Sequence, residues 1–402
     1  MRYRMRILNL GTRDELIREI KRLGADPEGI GLMFPKGLTR LIRLTGIPCK
    51  VANLLKQELL SRGGDCAVSH GTLTHSVEST DALMIATERQ YHELVRKLRM
   101  QKIFGLPELA DQIQTGIRNM NVRQFHLSVG GKLLNLDERT HIMGVLNVTP
   151  DSFSDGGAFM DPDKACLQAL SMRDQGADII DIGGESTRPG ASEVSEAEEL
   201  ARVLPVVERL SREPGMTISV DTYKASVARE AIAAGAHMIN DISGLRFDPG
   251  MAPLIAEAGV PVVIMHIKGT PRDMQKDPYY EDVIGEIVAG LGESMEIAYK
   301  AGVKEEQIII DPGIGFGKRL QDNLDIIKHL PEFKVLGRPV LLGTSRKAFI
   351  GSILNLPVGD RIEGTAAAVS MGIMNGVHII RVHDVREMVR VARVTDAVAQ
   401  RV

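Results

Sequence analysis

The 402-residue sequence has no tryptophan and three cysteines, Cys49, Cys66 and Cys166, far apart and without a CxxC pair. That excludes a disulfide framework and points to a reducing, cytoplasmic setting. No uninterrupted apolar run approaches the roughly 18 residues that span a bilayer. The N-terminal MRYRMRILNL meets Asp14 and Glu15 before any secretory core forms, so no leader is expected. Neither sign of charge dominates: a net charge of −3 with 44% hydrophobic residues excludes a disordered or fibrous chain. Glycine, by contrast, is plentiful at 40 residues, as in α/β enzymes with many tight βα turns.

Charge divides along the chain. Residues 1–130 hold 20 Lys/Arg against 13 Asp/Glu, a net of +7, leaving a net of −10 for residues 131–402. The basic charges are dispersed with no aromatic platform between them, so a docked or solvated face is expected rather than a nucleic-acid arm. This segment reads as a small α/β domain. Helical period runs over Thr12–Leu23, Leu38–Thr45, Val51–Arg62 and Glu88–Met100, with short strands at Cys66–Ser69 and Ala82–Ala86. His70 and His75 lie close together but lack a third ligand, so a solvated loop is expected there, not a metal site. The segment shows no catalytic constellation, and a structural or oligomerisation role is expected of it.

From Leu133 the pattern changes. Apolar β-rich runs recur at Ile142–Asn147, Asp178–Ile182, Thr217–Asp221, His237–Asp241, Val260–His266, Gln307–Asp311, Pro339–Gly343 and Val377–His383, with amphipathic helical stretches between them. Alternating strands and helices with near-continuous apolar strands mean a parallel sheet covered on both faces. Eight such units fit a (β/α)8 barrel. The rival, an open doubly wound sheet, would want a GxGxxG after its first strand, and none is present.

In a barrel, chemistry sits at the C-terminal strand ends and the loops that follow. The unusual residues gather there. Asn147, Asp181, Asp221, Asn240-Asp241, Met265-His266 and Asp311 end the first six strands, Ser345-Arg346-Lys347 follows the seventh, and Arg381 and His383 lie on the eighth. A single strand-end aspartate is as readily a helix N-cap as a ligand, and Asp181 and Asp241 fit a loop-orienting role. Arg381 and His383, two apart, share a face. An Arg fork beside an imidazole suits phosphate oxygens, unless Arg381 is held in a structural ion pair with an interior aspartate. Asn147, on the neighbouring strand of a closed barrel, can hold a ligand water or a metal. Deeper in, Asp221, Asn240 and Asp311 suit the amino-pyrimidinone edge of a flat heterocycle, with Met265, Ile242 and Phe316 for its faces. The alternative is a buried polar network of the barrel interior. GIGFGK (313–318) lacks the Walker spacing and reads as a tight turn presenting Phe316 and Lys318.

The motifs IMGVLNVTPDSFSDGG (142–157), GADIIDIGGESTRPGA (176–191), ISVDTYK (218–224), NDISG (240–244), DPGIGFGK (311–318), LLGTSRKAFIG (341–351) and RVHDV (381–385) resemble those of the dihydropteroate synthases, in that family's order. The resemblance covers residues 133–402 and leaves out residues 1–130. It implies a transferase of folate biosynthesis, sensitive to sulfonamides. Such an enzyme condenses 6-hydroxymethyl-7,8-dihydropterin diphosphate with 4-aminobenzoate, using Mg2+, to give 7,8-dihydropteroate and diphosphate. Carried onto this sequence, it implies a pterin held by Asp221, Asn240, Asp311 and Lys347, with Met265 and Ile242 lining the slot. Arg381, His383 and Asn147 are implied for the diphosphate, Asn147 also as the metal ligand. Aminobenzoate would lie against Thr187, Pro189, Phe316 and Ser345, with Arg188, Phe153 and Lys347 near. Asp221, Lys347, Arg381 and His383 form the implied catalytic group. A homodimer with small-molecule substrates, and with no nucleic-acid or membrane partner, is expected.

The implied chemistry suits these residues. A departing diphosphate needs its charge neutralised, and the CH2 it leaves becomes cationic beside the acidic ring around Asp221. The arylamine is a weak neutral nucleophile that needs positioning and a dry site more than a base. An SN1-like displacement is expected, with the pterin diphosphate bound first and the loops Val148–Gly157 and Ser186–Gly190 closing over it. A corrinoid methyltransferase would share the barrel but has no use for the Ser345–Lys347 and Arg381/His383 features, and no DxHxxG signature occurs. A non-catalytic pterin-binding paralogue conflicts with the intact Asn147, Lys347, Arg381 and His383.

Overall fold

The computed structural model describes residues 4–74, 76–122, 124–149, 161–186 and 193–400. The chain divides into two compact units, Met1–Val122 and Arg123–Val402.

The first unit is built on a three-stranded antiparallel sheet. Its strands are β1 (Thr39–Pro48), β2 (Asp65–Val68) and β3 (Ser79–Thr87), in the order β1-β3-β2. Its helices are α1 (Arg13–Arg22), α2 (Pro27–Gly37), α3 (Cys49–Leu60), α4 (His70–Thr74), α5 (Glu88–Arg99) and α6 (Leu106–Met120). Two of them start on capping boxes, Thr12 with Glu15 and Thr87 with Gln90, which satisfy the free N–H groups of the first turn. One face of β3 meets α3, α5 and α6 around Leu55, Leu59, Met84, Tyr91, Leu94 and Leu106. The expected helix over Leu38–Thr45 is instead β1. Its inner face carries Arg40 beside Ile42 and Leu44, and Leu41 points outward, so the apolar pattern imitates a helix. Arg40 lies inside because it pairs with buried Glu88 at 2.9 Å.

The unit boundary falls before residue 130 because a hairpin belongs to the second unit. Its strands β4 (His126–Val129) and β5 (Lys132–Asn135) are joined by Gly130-Gly131. Both glycines have positive φ, as a two-residue hairpin turn requires. Leu127, Val129 and Leu136 of this segment pack against the inward residues of the barrel strands.

Eight parallel strands follow: β6 (His141–Asn147), β7 (Ile179–Gly183), β8 (Ile218–Asp221), β9 (Met238–Asp241), β10 (Val262–Met265), β11 (Ile308–Asp311), β12 (Leu341–Leu342) and β13 (Ile379–Val382). They pair in the order β11-β10-β9-β8-β7-β6-β13-β12, and a parallel bridge between Ile310 and Val340 closes the ring. Six lie within the predicted runs and β6 and β7 each reach one residue beyond theirs, and the fold is a (β/α)8 barrel. Helices α7 (Pro162–Asp174), α8 (Glu196–Leu210), α9 (Ala225–Ala233), α10 (Met251–Ala258), α11 (Val283–Ala301), α12 (Leu320–His329), α13 (Ala348–Leu354), α14 (Ile362–Met374) and α15 (Val385–Ala399) alternate with them. Outward strand residues such as Ile180, Val220, Ile264, Ile310 and Ile380 join the helices in the main core. No helix among the described residues is long and apolar enough to cross a membrane.

The barrel interior has two levels. Met143, Ile179, Met238, Val263, Ile309, Leu341 and Ile379 form an apolar floor, sealed by the hairpin. Two residues further along, the same face of β7, β9, β10, β11 and β13 offers Asp181, Asn240, Met265, Asp311 and Arg381.

Candidate active site

The upper level is a charged network. Arg381 Nε donates to Asp181 Oδ2 at 2.6 Å, and Nη2 donates to Asp221 Oδ2 at 2.7 Å. Asn240 Nδ2 donates to the same Asp181 oxygen at 3.0 Å. Asp181 is fully buried, and its Oδ1 has no hydrogen-bond partner. It is therefore an anchor for Arg381 and Asn240 rather than a loop cap. Asp241 does orient a loop, accepting from Ser243 N at 2.7 Å and Leu245 N at 2.9 Å. Two carboxylates thus share one guanidinium. Burial, partly opposed by Arg381, pushes Asp221 up to about 7.

Asp311, paired in register with Met265, accepts from Gly313 N at 2.7 Å, and burial raises its pKa. Gly313 has φ +71°, and a Cβ there would fall 2.0 Å from the His266 carbonyl oxygen, so only glycine lets the turn lie against the end of β10. Lys318 Nζ ties the same turn down, donating to the carbonyls of Phe316 (3.0 Å) and His266 (3.3 Å) and lying 3.2 Å from His266 Nδ1. Burial pushes Lys318 down to about 7. Phe316 joins Ile242, Met265, Ile267, Met274 and Tyr223 in one apolar cluster, and Lys347 Nζ stands 4.3 Å from the Phe316 ring centroid. Burial, then Arg381, pushes Lys347 down to about 8.

On the neighbouring side, Ser345 Oγ accepts from His383 N at 3.2 Å and lies 3.1 Å from His383 Nδ1. Burial, then Arg381, lowers His383 to about 4, so its ring is neutral at pH 7. The turn carrying Ser345 and Lys347 has Arg346 in the left-handed region at φ +58°, fixed by a two-point ion pair with Asp384 at 2.5 and 3.0 Å. Arg361 Nη1 donates to the carbonyls of Arg346 and Lys347 from behind. Asn147 ends β6, next to β13, and its Oδ1 lies 3.7 Å from where a Gly183 Cβ would be, with Asp221 close by.

Residues 143–383 match the model of the pterin binding enzyme family. The chain is 54% identical over 264 residues to the dihydropteroate synthase of Bacillus subtilis (strain 168), a match covering 66% of this chain and 90% of that protein. A solved structure of Xanthomonas albilineans dihydropteroate synthase with 4-aminobenzoic acid is 44% identical, with a TM-score of 0.64 over 68% of this chain and 98% of that one. The chain belongs to the dihydropteroate synthase family. A probable bifunctional folylpolyglutamate synthase/dihydropteroate synthase of Halobacterium salinarum is 43% identical over 386 residues, 96% of this chain and 46% of that protein. That match takes in most of residues 1–122, so the first unit also accompanies a synthase barrel elsewhere in the family.

Of the residues singled out in the sequence, Asn147, Asp221, Asn240, Ile242, Met265, Asp311, Phe316, Ser345, Lys347, Arg381 and His383 all stand on the strand ends or following turns of the one barrel. Phe153, Thr187, Arg188 and Pro189, with most of the two loops carrying them, lie outside the described residues. Arg381 is engaged by two interior aspartates, the ion-pair arrangement posed as the alternative to an anion clamp. His70 opens the short helix α4, and His75 lies outside the described residues. Arg361, Tyr223 and Lys224 are not among the residues to which the sequence pointed. For Lys224 a signal existed: a lysine three residues past a strand-end aspartate, directly before an apolar helix.

Proposed function

We propose that the chain condenses 6-hydroxymethyl-7,8-dihydropterin diphosphate with 4-aminobenzoate by an SN1-like route, with the pterin diphosphate bound first. The observation that carries the reading is the gathering of Asn147, Asp221, Asn240, Asp311, Lys347, Arg381 and His383 on the strand ends and following turns of one barrel. Asp221, Asn240, Asp311 and Lys347 take the pterin ring, between Met265 and Ile242. The N–H donors of the ring replace Nη2 as the partner of Asp221. Arg381 then remains anchored to Asp181 through Nε while Nη2 turns to the diphosphate. Lys347 and His383 complete the anion clamp, with Ser345 holding the imidazole.

Mg2+ fits this corner. The amide oxygen of Asn147 is a hard neutral donor, and no group of three or more His, Cys, Asp or Glu among the described residues offers a closed cage. An ion there would draw its other ligands from water and the diphosphate, as Mg2+ commonly does. When bound it supplies charge neutralisation on the leaving diphosphate. The chain's own residues do the rest. Arg381 and Lys347 hold the departing anion as the C–O bond breaks. The Asp221 carboxylate faces the cationic CH2. Thr187, Pro189, Phe316 and Ser345, with Phe153 and Arg188 near, place the arylamine, whose nitrogen forms the new C–N bond and gives up one proton to solvent. Diphosphate release that requires both substrates tests the condensation. Positional isotope exchange within the diphosphate in the absence of arylamine tests the SN1-like step, and a strict absence of scrambling removes it.

Exposed apolar residues on the neighbouring helices α14 and α15, Met371 and Met374 on one and Val394 and Val398 on the other, support a homodimer through that face. Sedimentation of the full chain and of a Val394→Glu variant decides it. A cytoplasmic location agrees with three free cysteines, two of them buried.

A further inference from the structure

The turn after β11 holds a buried ammonium that the chemistry above does not use. Gly313, Gly315 and Gly317 all have positive φ, so the turn has little backbone preference of its own with which to place the half-buried Phe316. Its neighbours fix it instead. Asn323 Oδ1 accepts from Gly315 N at 2.7 Å, and Gln275 Nε2 donates to the Gly315 carbonyl at 2.7 Å. Tyr280 OH donates to the Gly317 carbonyl at 2.9 Å. The carbonyl of Phe316 itself is taken by Lys318 Nζ, at 3.0 Å.

Lys318 is 3% exposed, and its remaining protons go to His266, one to the carbonyl at 3.3 Å and one to Nδ1 at 3.2 Å. Burial, then Lys318, lowers the pKa of His266, so the ring is neutral and Nδ1 accepts. That ring has a seat of its own, since a Cβ on Gly290 of α11 would stand 3.0 Å from His266 Cδ2. Lys318 thus joins the end of β10 to the middle of the turn after β11. Among the described residues no carboxylate forms an ion pair with it. Stability alone explains this poorly. A buried cation whose acceptors are all neutral recovers little of its desolvation cost, and an apolar side chain of similar length would fill the space. What three directed hydrogen bonds supply is a fixed position for the Phe316 backbone.

We propose that Lys318 is a positioning residue for Phe316. By tying the Phe316 carbonyl to His266, it sets the ring against which the arylamine lies, and so sets the KM for 4-aminobenzoate. The inference rests on the assignment of Phe316 to the arylamine made above.

The test uses full-length Lys318→Met and Lys318→Gln. It measures steady-state kinetics in both substrates and pterin diphosphate binding without arylamine. Misplacing a substrate group by about 1 Å can cost a hundredfold. Lys318→Met is therefore expected to raise the arylamine KM about tenfold or more and to leave pterin diphosphate binding within about threefold. The pterin side is spared because Asp311 is set by β11 and by the Gly313 N–H. Lys318→Gln, which keeps a donor on a shorter stem, is expected to recover part of the KM. A merely structural lysine would lower the folded fraction and leave the arylamine KM of the remainder unchanged, or shift both substrates equally; either result overturns the proposal. Should Lys318→Met fail to fold, Lys318→Gln decides by the same readout, and failure of both to fold marks a lysine needed for the fold itself and also overturns it. Phe316→Leu in parallel separates two failures. If it raises the arylamine KM and the Lys318 variants do not, the positioning role alone falls. If it leaves that KM unchanged, the arylamine assignment of Phe316 falls and takes the proposal with it.

Discussion

The floor of the barrel and the level above it are made by the same strands and differ by one step of two residues. Ile179 gives way to Asp181 on β7, Met238 to Asn240 on β9, Ile309 to Asp311 on β11, and Ile379 to Arg381 on β13. Strand alternation forces both members of each pair onto the interior face, so only the side chain changes. Below, apolar residues and the hairpin Leu127–Leu136 exclude water. Above, carboxylates and cations stand on that apolar base, where poor solvation strengthens each interaction, raises the pKa of Asp221 and lowers those of Lys318 and Lys347. The floor makes the chemistry of the upper level possible by being featureless.

If the division is real, one substitution at each level of the barrel should separate rate from stability. Arg381→Ala is expected to have the largest effect, lowering diphosphate release by at least a hundredfold to a thousandfold as the anion loses its main donor. It also strips Asp181 and Asp221 of their shared partner, so denaturant unfolding should show a loss of about 3–5 kcal/mol. Ile309→Ala should cost a comparable 2–5 kcal/mol through the cavity it leaves, with turnover per folded molecule unchanged. A floor variant that slowed the folded enzyme as Arg381→Ala does would erase the distinction between the levels.

The fold and the site were legible to different depths. The barrel strands announce themselves because most are short apolar runs rich in β-branched residues and buried on both sides, Ile308-Ile309-Ile310 being the plainest. The strand-end residues are legible because the fold fixes where chemistry must lie, whatever that chemistry is. Pairing is not legible in the same way. Arg381 finds Asp181 and Asp221 at sequence separations of 200 and 160, and nothing local in Arg381-Val382-His383 says whether its fork meets an anion or an aspartate. β1 is missed because its inner face is set by the Arg40–Glu88 pair, 48 residues apart, rather than by hydrophobic alternation. The hairpin is missed because its partner surface, the barrel floor, is contributed by strands spread over the whole second unit.

The next effect sharpens the upper level by pH. The Asp221 carboxyl rises from its ordinary 3.8 to about 7, chiefly by burial. A raised folded value means that the ligand-free protein keeps this group's contribution to stability below about pH 4 and loses it as pH rises through 7. Pterin binding runs the other way, because the ring donates N–H groups to the ionised carboxylate. Pterin affinity should therefore strengthen by up to about tenfold per unit as pH climbs toward 7 and level off above it. In Asp221→Asn it should be weak and flat over the same range. A wild-type affinity with no slope between pH 5.5 and 7.5 would take Asp221 out of the pterin slot.

The smallest effect belongs to residues 4–122 and asks whether the contrast within the barrel is the only one that matters for turnover. Tyr91 is fully buried there, and its hydroxyl donates to the Met84 carbonyl at 2.9 Å and lies 3.1 Å from the Arg40 carbonyl, tying α5 to β1 and β3. Tyr91→Phe keeps the ring and leaves both carbonyls without that donor, a cost of about 1–2 kcal/mol. Hydrogen exchange should show faster opening of the Ser79–Thr87 amides, with the barrel amides and both KM values unchanged. The first unit carries a net positive charge and a core of its own but, among its described residues, no group of the kind gathered on the barrel strand ends. Loosening it should therefore reach its own sheet and stop there. A fall in turnover on so slight a change would place part of the catalytic machinery outside the barrel.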